Sequence, residues 1–210
     1  MQHTKIYQQQ QLPHAEVPLV VEGPVTAERL QELQLHKQLD AFRRPEEQHE
    51  ALMEIAALPE GRVIIARVDA AIIGYVTFHY PDELERWSEA NMDDLLELGA
   101  IEVAADYRSS GVGRELIKTG FREGQLDDYI VFTTEYYWHW DLKGSQLSVW
   151  DYRKMMERLM KSVGMVWYAT DDPEICSHPA NCLMVRVGPN VPLSSEEAFD
   201  RIRFQRRRMY

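Results

Sequence analysis

Residues 101–114 read Ile-Glu-Val-Ala-Ala-Asp-Tyr-Arg-Ser-Ser-Gly-Val-Gly-Arg and are the strongest chemical signal in the sequence. The first residues of this stretch predict a strand. Gly111 and Gly113 lie near its end, where an amphipathic helix is predicted to begin. Glycine allows a sharp turn and lets backbone N–H groups approach a ligand closely. The first N–H groups of a helix lack partners and lie at the positive end of its dipole, which favours an anion such as a pyrophosphate. The stretch therefore predicts a phosphate-binding loop.

Two better-known phosphate loops do not match this stretch. The sequence has no Gly-Lys-Ser/Thr here, which argues against a P-loop nucleotidase. The dinucleotide fingerprint needs a third glycine where Leu116 stands. Arg114, Lys118 and Arg122 recur every four residues and predict a basic helix face. Taken alone, Arg-x-x-Gly-x-Gly is also compatible with an ordinary turn before a solvated helix.

Hydrophobic periodicity and turn signals place this stretch in one α+β (α/β) domain over residues 1–210, a mixed sheet with helices on both faces. The predicted strands are residues 17–22, 63–68, 72–79, 98–103, 129–134, 165–170 and 183–187. The predicted helices begin at Thr26, Pro45, Gly113, Ser148 and Ser194. Residues 1–15 are expected to be a loose lead-in, and residues 81–96 an acidic loop or short helix. Residues 190–210 are expected to be a C-terminal extension with a basic tail.

The charge balance limits the possible partners. Lys and Arg number 23 against 34 Asp and Glu, a net charge of −11. Nucleic-acid binding needs clustered positive charge, so it is not expected, whereas a cationic amine or a basic protein surface suits this chain. A polar N-terminus and the lack of a long apolar run predict a cytoplasmic protein with no membrane segment. Cys176 and Cys182 match no zinc or disulfide pattern, so no metal is expected.

The loop from Arg108 to Gly113, after a strand and before a helix, resembles motif A of the GNAT acetyltransferases. The hairpin upstream and the strand, helix, strand order downstream match the layout of that family over about residues 17–190. Further stretches resemble one subgroup of the family, and these are residues 44–52, 85–89, 133–141 and 177–184. The resemblance implies the GNAT fold.

The resemblance also implies acetyl-CoA as co-substrate, with its phosphates on the predicted loop. The main-chain N–H near Val103 would polarise the thioester carbonyl, as a fixed donor does in an oxyanion hole. The implied coenzyme-binding residues are Val103, Arg108, Ser109, Ser110, Gly111, Val112, Gly113 and Arg114.

The acceptor is implied by the resemblance alone. Members of the subgroup act in acetoin and acetate metabolism, where they acetylate a lysine of an AMP-forming acetyl-CoA synthetase and inactivate that enzyme. The resemblance therefore implies a protein lysine N-acetyltransferase with this synthetase as partner. A small amine as acceptor and a non-catalytic acetyl-CoA-binding regulator stay open as alternatives, and so does the oligomeric state.

Acetyl transfer to a lysine needs a base, because the free side chain has a pKa near ~10.4. Glu102 lies on the strand that leads to the loop, and a carboxylate in a partly apolar groove can accept that proton. An outward-facing structural glutamate fits the pattern equally well. Glu135 and His139 are the reserve candidates.

The departing thiolate needs a proton donor. GNAT enzymes commonly use a tyrosine on the helix after the fifth strand, and Tyr152 matches that place one turn into the helix from Ser148. Its phenol can donate to sulfur, although a buried structural tyrosine is an equal alternative. Tyr136 and Tyr137 are further candidates. Residues 136–140 either wall the acceptor site or pack in the core. The acidic residues 81–96 either contact the acceptor or form a solvated face.

Overall fold

The computed structural model describes residues 1–13, 18–108 and 110–205. The chain divides into two compact units. The first unit contains Gln2–His79 and Leu98–Gln125, and the second contains Met1, Tyr80–Glu97 and Leu126–Tyr210. No helix in the described part of the chain is both long enough and apolar enough to cross a membrane.

The first unit combines a largely antiparallel set of strands with three helices. Its elements are β1 (Gln8–Leu12), β2 (Leu19–Gly23), α1 (Ala27–Gln31), β3 (Gln34–Leu35), α2 (Pro45–Ala57), β4 (Arg62–Val68), β5 (Ala71–His79) and α3 (Val112–Phe121). The strands β1, β2, β4 and β5 are neighbours in that order and antiparallel, while β3 pairs with β5 in parallel. β4 and β5 form the predicted hairpin, which turns through Asp69 at a φ of 49°.

Local sequence signals explain where the helices of this unit begin. The Thr26 side chain accepts a hydrogen bond from the Arg29 N–H at 3.2 Å, so Thr26 is the predicted N-cap of α1. Pro45 is the first residue of α2, where its missing N–H costs nothing. α3 packs on β2, β4 and β5, and it buries Leu116 and Ile117 there.

Gly120 allows α3 to approach β5 closely. A Cβ at this position would lie 2.7 Å from Cε2 of Phe78, whose ring is fully buried and packs edge-on against Phe121. We expect Gly120→Ala to destabilise the protein, because overpacking costs about 1–3 kcal/mol and alanine regains only about 1 kcal/mol of helix propensity. Urea denaturation measures this change, and an unfolding free energy at or above the wild-type value would show that Phe78 yields without cost.

The second unit contains a mixed set of strands. Its elements are β7 (Ile130–Glu135), α4 (Leu142–Ser145), α5 (Val149–Lys161), β8 (Val166–Tyr168), α6 (Pro173–Cys176), β9 (Cys182–Val187) and α7 (Leu193–Arg203). One further strand, β6 (Leu95–Val103), contributes residues 95–97 to this unit and its remainder to the first unit. Residues 95–97 pair in parallel with β7, whereas β9 is antiparallel to both β7 and β8.

Three aromatic rings form the centre of the second unit. The ring centroid of Trp87 lies 5.1 Å from that of Phe132 and 5.9 Å from that of Phe199. Other buried members of this core are Leu95, Ile130, Ile175, Leu183, Val185 and Ile202. The sequence predicted residues 81–96 as an acidic loop or short helix, but residues 95 and 96 belong to β6. The rest of this segment is anchored to the core through Trp87, which lies in a 3₁₀ turn.

The predicted mixed sheet flanked by helices is confirmed, but some boundaries differ. The lead-in is not loose over residues 8–12, because β1 pairs with β2 there. Lys5 also donates from Nζ to the Leu58 carbonyl at 2.6 Å, and the Ile6 N–H donates to Oε1 of Gln125 at 3.1 Å. The first predicted strand begins in residues that lie outside the described ones, as does most of the basic tail. The single domain over residues 1–210 stays a prediction.

Candidate active site

The predicted phosphate loop connects β6 to α3 in the first unit. The Ala104 N–H donates to the Ile73 carbonyl at 2.9 Å, and Ala105–Tyr107 forms one 3₁₀ turn. Gly111 is the N-cap of α3 with φ 84° and ψ 0°, a left-handed conformation that favours glycine. A Cβ at Gly111 would meet no atom within 4 Å, so open space adjoins the loop.

The start of α3 supplies backbone donors to this open space. Gly111 provides no side-chain cap, and the first N–H groups of a helix have no partner within the helix. These N–H groups belong to Val112, Gly113 and Arg114. Arg114 is exposed, and Glu115 is the acidic residue of the first turn. The local geometry therefore fits an anion, and binding of the coenzyme phosphates at this loop stays a prediction.

Two other side chains of the loop form hydrogen bonds to backbone carbonyls nearby in the chain. Arg108 donates from Nε to the Val103 carbonyl at 3.1 Å, and the Ser110 hydroxyl donates to the Tyr107 carbonyl at 2.5 Å. Both contacts shape the backbone on which the donor groups lie. Ser109, which the sequence also predicted for this site, lies outside the described residues.

The predicted basic face of α3 is only partly present. Nζ of Lys118 lies 3.6 Å from the Glu115 carboxylate, and a guanidinium nitrogen of Arg122 lies 3.9 Å from it. Arg122 follows the last residue of α3 and donates to Oε1 of Gln10 at 2.7 Å. Glu115 thus offsets much of the positive charge that the four-residue spacing suggested.

Glu102, the predicted base, is 6 % exposed and lies in the first unit. Its Oε2 accepts from the Tyr75 hydroxyl at 2.7 Å, and its Oε1 accepts from the Ala41 N–H at 2.9 Å. Burial raises the pKa of Glu102, and the two hydrogen bonds oppose that shift. Both carboxylate oxygens are engaged, so the structure gives Glu102 a clear structural task, and its role as base stays a prediction.

A second carboxylate, which the sequence analysis missed, lies on the same strand in the other unit. Glu97 is half-buried and pairs in register with Phe132 of β7. Burial, followed by the charges of Glu85 and Asp82, raises the pKa of Glu97 to about 8. Its carboxylate has no hydrogen-bond or ion-pair partner among the described residues. Such a group can change its protonation state near neutral pH.

One sequence signal pointed to Glu97. It is a single carboxylate within the apolar run Leu95-Leu96-Glu97-Leu98. The predicted strand began at residue 98, which left Glu97 in a loop. In the structure β6 begins at Leu95, because Leu95 and Leu96 are buried against β7.

Tyr152, the predicted proton donor, is half-buried in the first half of α5. Its ring stacks on Trp140, with centroids 5.2 Å apart and an interplanar angle of 17°. The Trp140 indole N–H donates to Oε2 of Glu135 at 2.9 Å. Burial raises the pKa of Glu135 to about 7, although this hydrogen bond opposes the shift. The structure thus connects Tyr152, Trp140 and Glu135, contacts that the sequence did not predict.

The aromatic segment after β7 is held by an asparagine. The Tyr137 N–H donates to Oδ1 of Asn181 at 3.0 Å, and Asn181 is buried. Tyr136 stacks on Trp138 with centroids 4.9 Å apart. His139, a reserve base, is exposed. These residues, Tyr152 and Glu97 belong to the second unit, whereas the phosphate loop and Glu102 belong to the first.

Comparison with known proteins identifies the class to which this fold and loop belong. The profile of the Acetyltransferase (GNAT) family matches residues 28–137, so the chain belongs to the GNAT family and is an N-acetyltransferase. Enzymes of this family use acetyl-CoA as co-substrate.

Several relatives match over the full length. The chain is 59 % identical to the acetoin utilization protein AcuA of Bacillus subtilis (strain 168), and the match covers 100 % of both sequences. The protein of the same name from Bacillus licheniformis is 55 % identical, again over 100 % of both. A solved structure of an acetoin utilization protein from Exiguobacterium sibiricum 255-15 has a TM-score of 0.95 and 54 % identity, covering 99 % of this chain and 98 % of that one. The resemblance inferred from the sequence is confirmed.

Proposed function

We propose that this chain transfers the acetyl group of acetyl-CoA to a lysine of an AMP-forming acetyl-CoA synthetase and thereby inactivates that enzyme. Full-length relatives named for acetoin utilization support a role in acetoin and acetate metabolism. The observation that carries the proposal is the loop at the start of α3, where Gly111 is left-handed and open space adjoins unpaired backbone donors.

The loop fits the phosphates of acetyl-CoA. The main-chain N–H groups of Val112, Gly113 and Arg114 would hold them, with the exposed Arg114 guanidinium adding charge. Arg108 and Ser110 keep the loop in shape through their bonds to backbone carbonyls. Bound acetyl-CoA supplies the thioester from which the acetyl group is transferred.

We assign proton removal from the lysine ammonium to Glu97 rather than to Glu102. Hydrogen bonds from Tyr75 and Ala41 stabilise the charged form of Glu102 and make it a weaker base, whereas no described residue bonds to the Glu97 carboxylate. The pKa of Glu97, at about 8, matches that of a base working near neutral pH. Once the proton is removed, the amine lone pair forms the N–C bond and the C–S bond breaks.

The thiolate that leaves then takes a proton, for which Tyr152 stays the proposed donor, and the second proton that the nitrogen loses as the amide forms restores the Tyr152 phenol. Stacking on Trp140 limits rotation of the phenol ring, and the hydrogen bond to Glu135 in turn fixes Trp140. A donor held in this way loses less conformational freedom when it acts.

Incubation of the protein with acetyl-CoA and a purified AMP-forming acetyl-CoA synthetase tests the proposal. We expect mass spectrometry to find an acetyl group on a synthetase lysine, and synthetase activity to fall in parallel. Polyamines presented under the same conditions are the control acceptors. Transfer to polyamines but not to the synthetase would establish the small-amine alternative, and inhibition without acetyl incorporation would establish the non-catalytic regulator.

A further inference from the structure

Six aromatic rings from three segments of the second unit form one continuous group, which we call the aromatic surface. Its members are Tyr136, Tyr137, Trp138, His139, Trp150 and His178. Tyr137 contacts both the Trp138 ring, at 5.4 Å between centroids, and the His178 ring, at 4.2 Å. His178 in turn stacks on Trp150 at 6.3 Å and 23°. The stacked pair of Tyr136 and Trp138, with His139 edge-on to both rings, completes the group.

The tryptophans of this surface lie open to solvent. Trp138 is 44 % exposed and Trp150 is 50 % exposed, whereas Trp87 in the core is 3 % exposed. Hydrogen bonds nonetheless fix the segments that carry these rings, one of them from the Tyr137 N–H to Asn181. Trp150 lies in the first turn of α5, which the Ser148 side chain caps by accepting from the Asp151 N–H at 3.1 Å. Rigid aromatic side chains of this kind bind a partner with little loss of conformational freedom.

Carboxylates flank the aromatic surface at Tyr136. After burial, the charges of Asp172, Glu174 and Glu85 raise the pKa of the Tyr136 phenol, which places all three carboxylates within electrostatic reach of that ring. Arg86 offsets part of this charge, since it lies 3.4 Å from Asp172. Glu174 and Glu85 remain exposed. The side of the aromatic surface at Tyr136 is therefore acidic.

We propose that the aromatic surface is the docking site for the lysine-bearing segment of the acceptor protein, an inference that rests on the proposed function. Aromatic faces attract cationic side chains and pack against their aliphatic stems, and the carboxylates attract positive charge at longer range. Rings contributed by three segments offer more contact than one small amine can use. The partner is thus a polypeptide segment rich in lysine or arginine around the modified residue.

Single substitutions of the two exposed tryptophans test this inference with the full-length chain and purified acetyl-CoA synthetase. We expect Trp138→Ala and Trp150→Ala each to raise the KM for the synthetase about 5- to 30-fold, with kcat changed less than about twofold. Calorimetry should give wild-type affinity for acetyl-CoA in both variants. Trp167→Ala is the matched control, because Trp167 is 54 % exposed on β8 in the same unit but is no member of the aromatic surface.

Direct binding of the synthetase, measured by interferometry without acetyl-CoA, tests the docking site separately from the proposed function. Weaker binding by Trp138→Ala and Trp150→Ala, with no change for Trp167→Ala, supports the docking site even if no transfer occurs, in which case only the proposed function fails. Efficient transfer that none of the three substitutions affects would overturn the docking site and leave the proposed function standing. Equal losses for all three variants would also overturn it, because the effect would not depend on the aromatic surface.

Discussion

Replacement of Glu97 by glutamine is expected to lower kcat for acetyl transfer by roughly 10²- to 10⁴-fold, the usual contribution of a positioned general base. Glutamine keeps the size and polarity of the side chain but cannot accept the proton. The effect should appear in single-turnover experiments with saturating acetyl-CoA, where product release does not contribute.

The pH dependence provides an independent check. A base acts in its deprotonated form, so kcat/KM of the wild-type protein should rise with pH through about 8, the raised pKa of Glu97. Ionisation of the acceptor lysine lies higher, near ~10.4, and gives a separate bend. The bend near 8 should vanish in Glu97→Gln.

Glu102→Gln is the matched variant on the same strand. Its amide oxygen can still accept from the Ala41 N–H and its NH₂ can donate to the Tyr75 hydroxyl oxygen, but both contacts lose the strength that the carboxylate charge gives them. We therefore expect reduced stability and a smaller loss of kcat, with the bend near pH 8 retained. The reverse result, a large loss of kcat for Glu102→Gln and a small one for Glu97→Gln, would restore the assignment made from the sequence.

Gly111→Ala should weaken acetyl-CoA binding by about tenfold or more. A side chain at φ 84° is strained by about 1–3 kcal/mol, and relief of that strain rotates the backbone donors of the loop away from the ligand. A factor of ten corresponds to about 1.4 kcal/mol, so even the lower half of this range is measurable by calorimetry.

The chain offers a closely matched control for this substitution. Gly164 has a φ of 83°, and a Cβ there would meet no atom nearer than 3.8 Å. Gly164→Ala therefore introduces similar backbone strain beyond the end of α5 and should lower the unfolding free energy by a similar amount. Equal acetyl-CoA affinities for the two variants would show that the loop around Gly111 does not hold the coenzyme.

Much of the fold could be predicted because its signals are local. Thr26, Pro45 and Ser148 begin helices where capping preferences place them, and the β4–β5 hairpin follows from two β-branched runs separated by a short turn. β1 could not be predicted, because a glutamine-rich segment has no strand propensity of its own. It becomes a strand only through pairing with β2.

In the candidate site, too, the features that depend on local sequence could be predicted and those that depend on distant residues could not. The glycine spacing predicted a sharp turn before α3, and Gly111 makes that turn in the left-handed conformation. Phosphate binding at this turn stays a prediction. The surroundings of Glu102 could not be predicted, because its partners Tyr75 and Ala41 are 27 and 61 positions away in the sequence. Glu97 was missed because its burial depends on pairing between β6 and β7, which a single strand pattern does not reveal.

β1 also determines which residues lie at the border of the sheet in the first unit. Every residue of β2 is buried, whereas residues alternate between exposed and half-buried along β1, which is almost entirely glutamine. An apolar strand left at the border of a sheet is a template for pairing with other chains. In the first unit the polar strand β1 pairs with this side of β2. These glutamines therefore keep an apolar strand away from the border of the sheet.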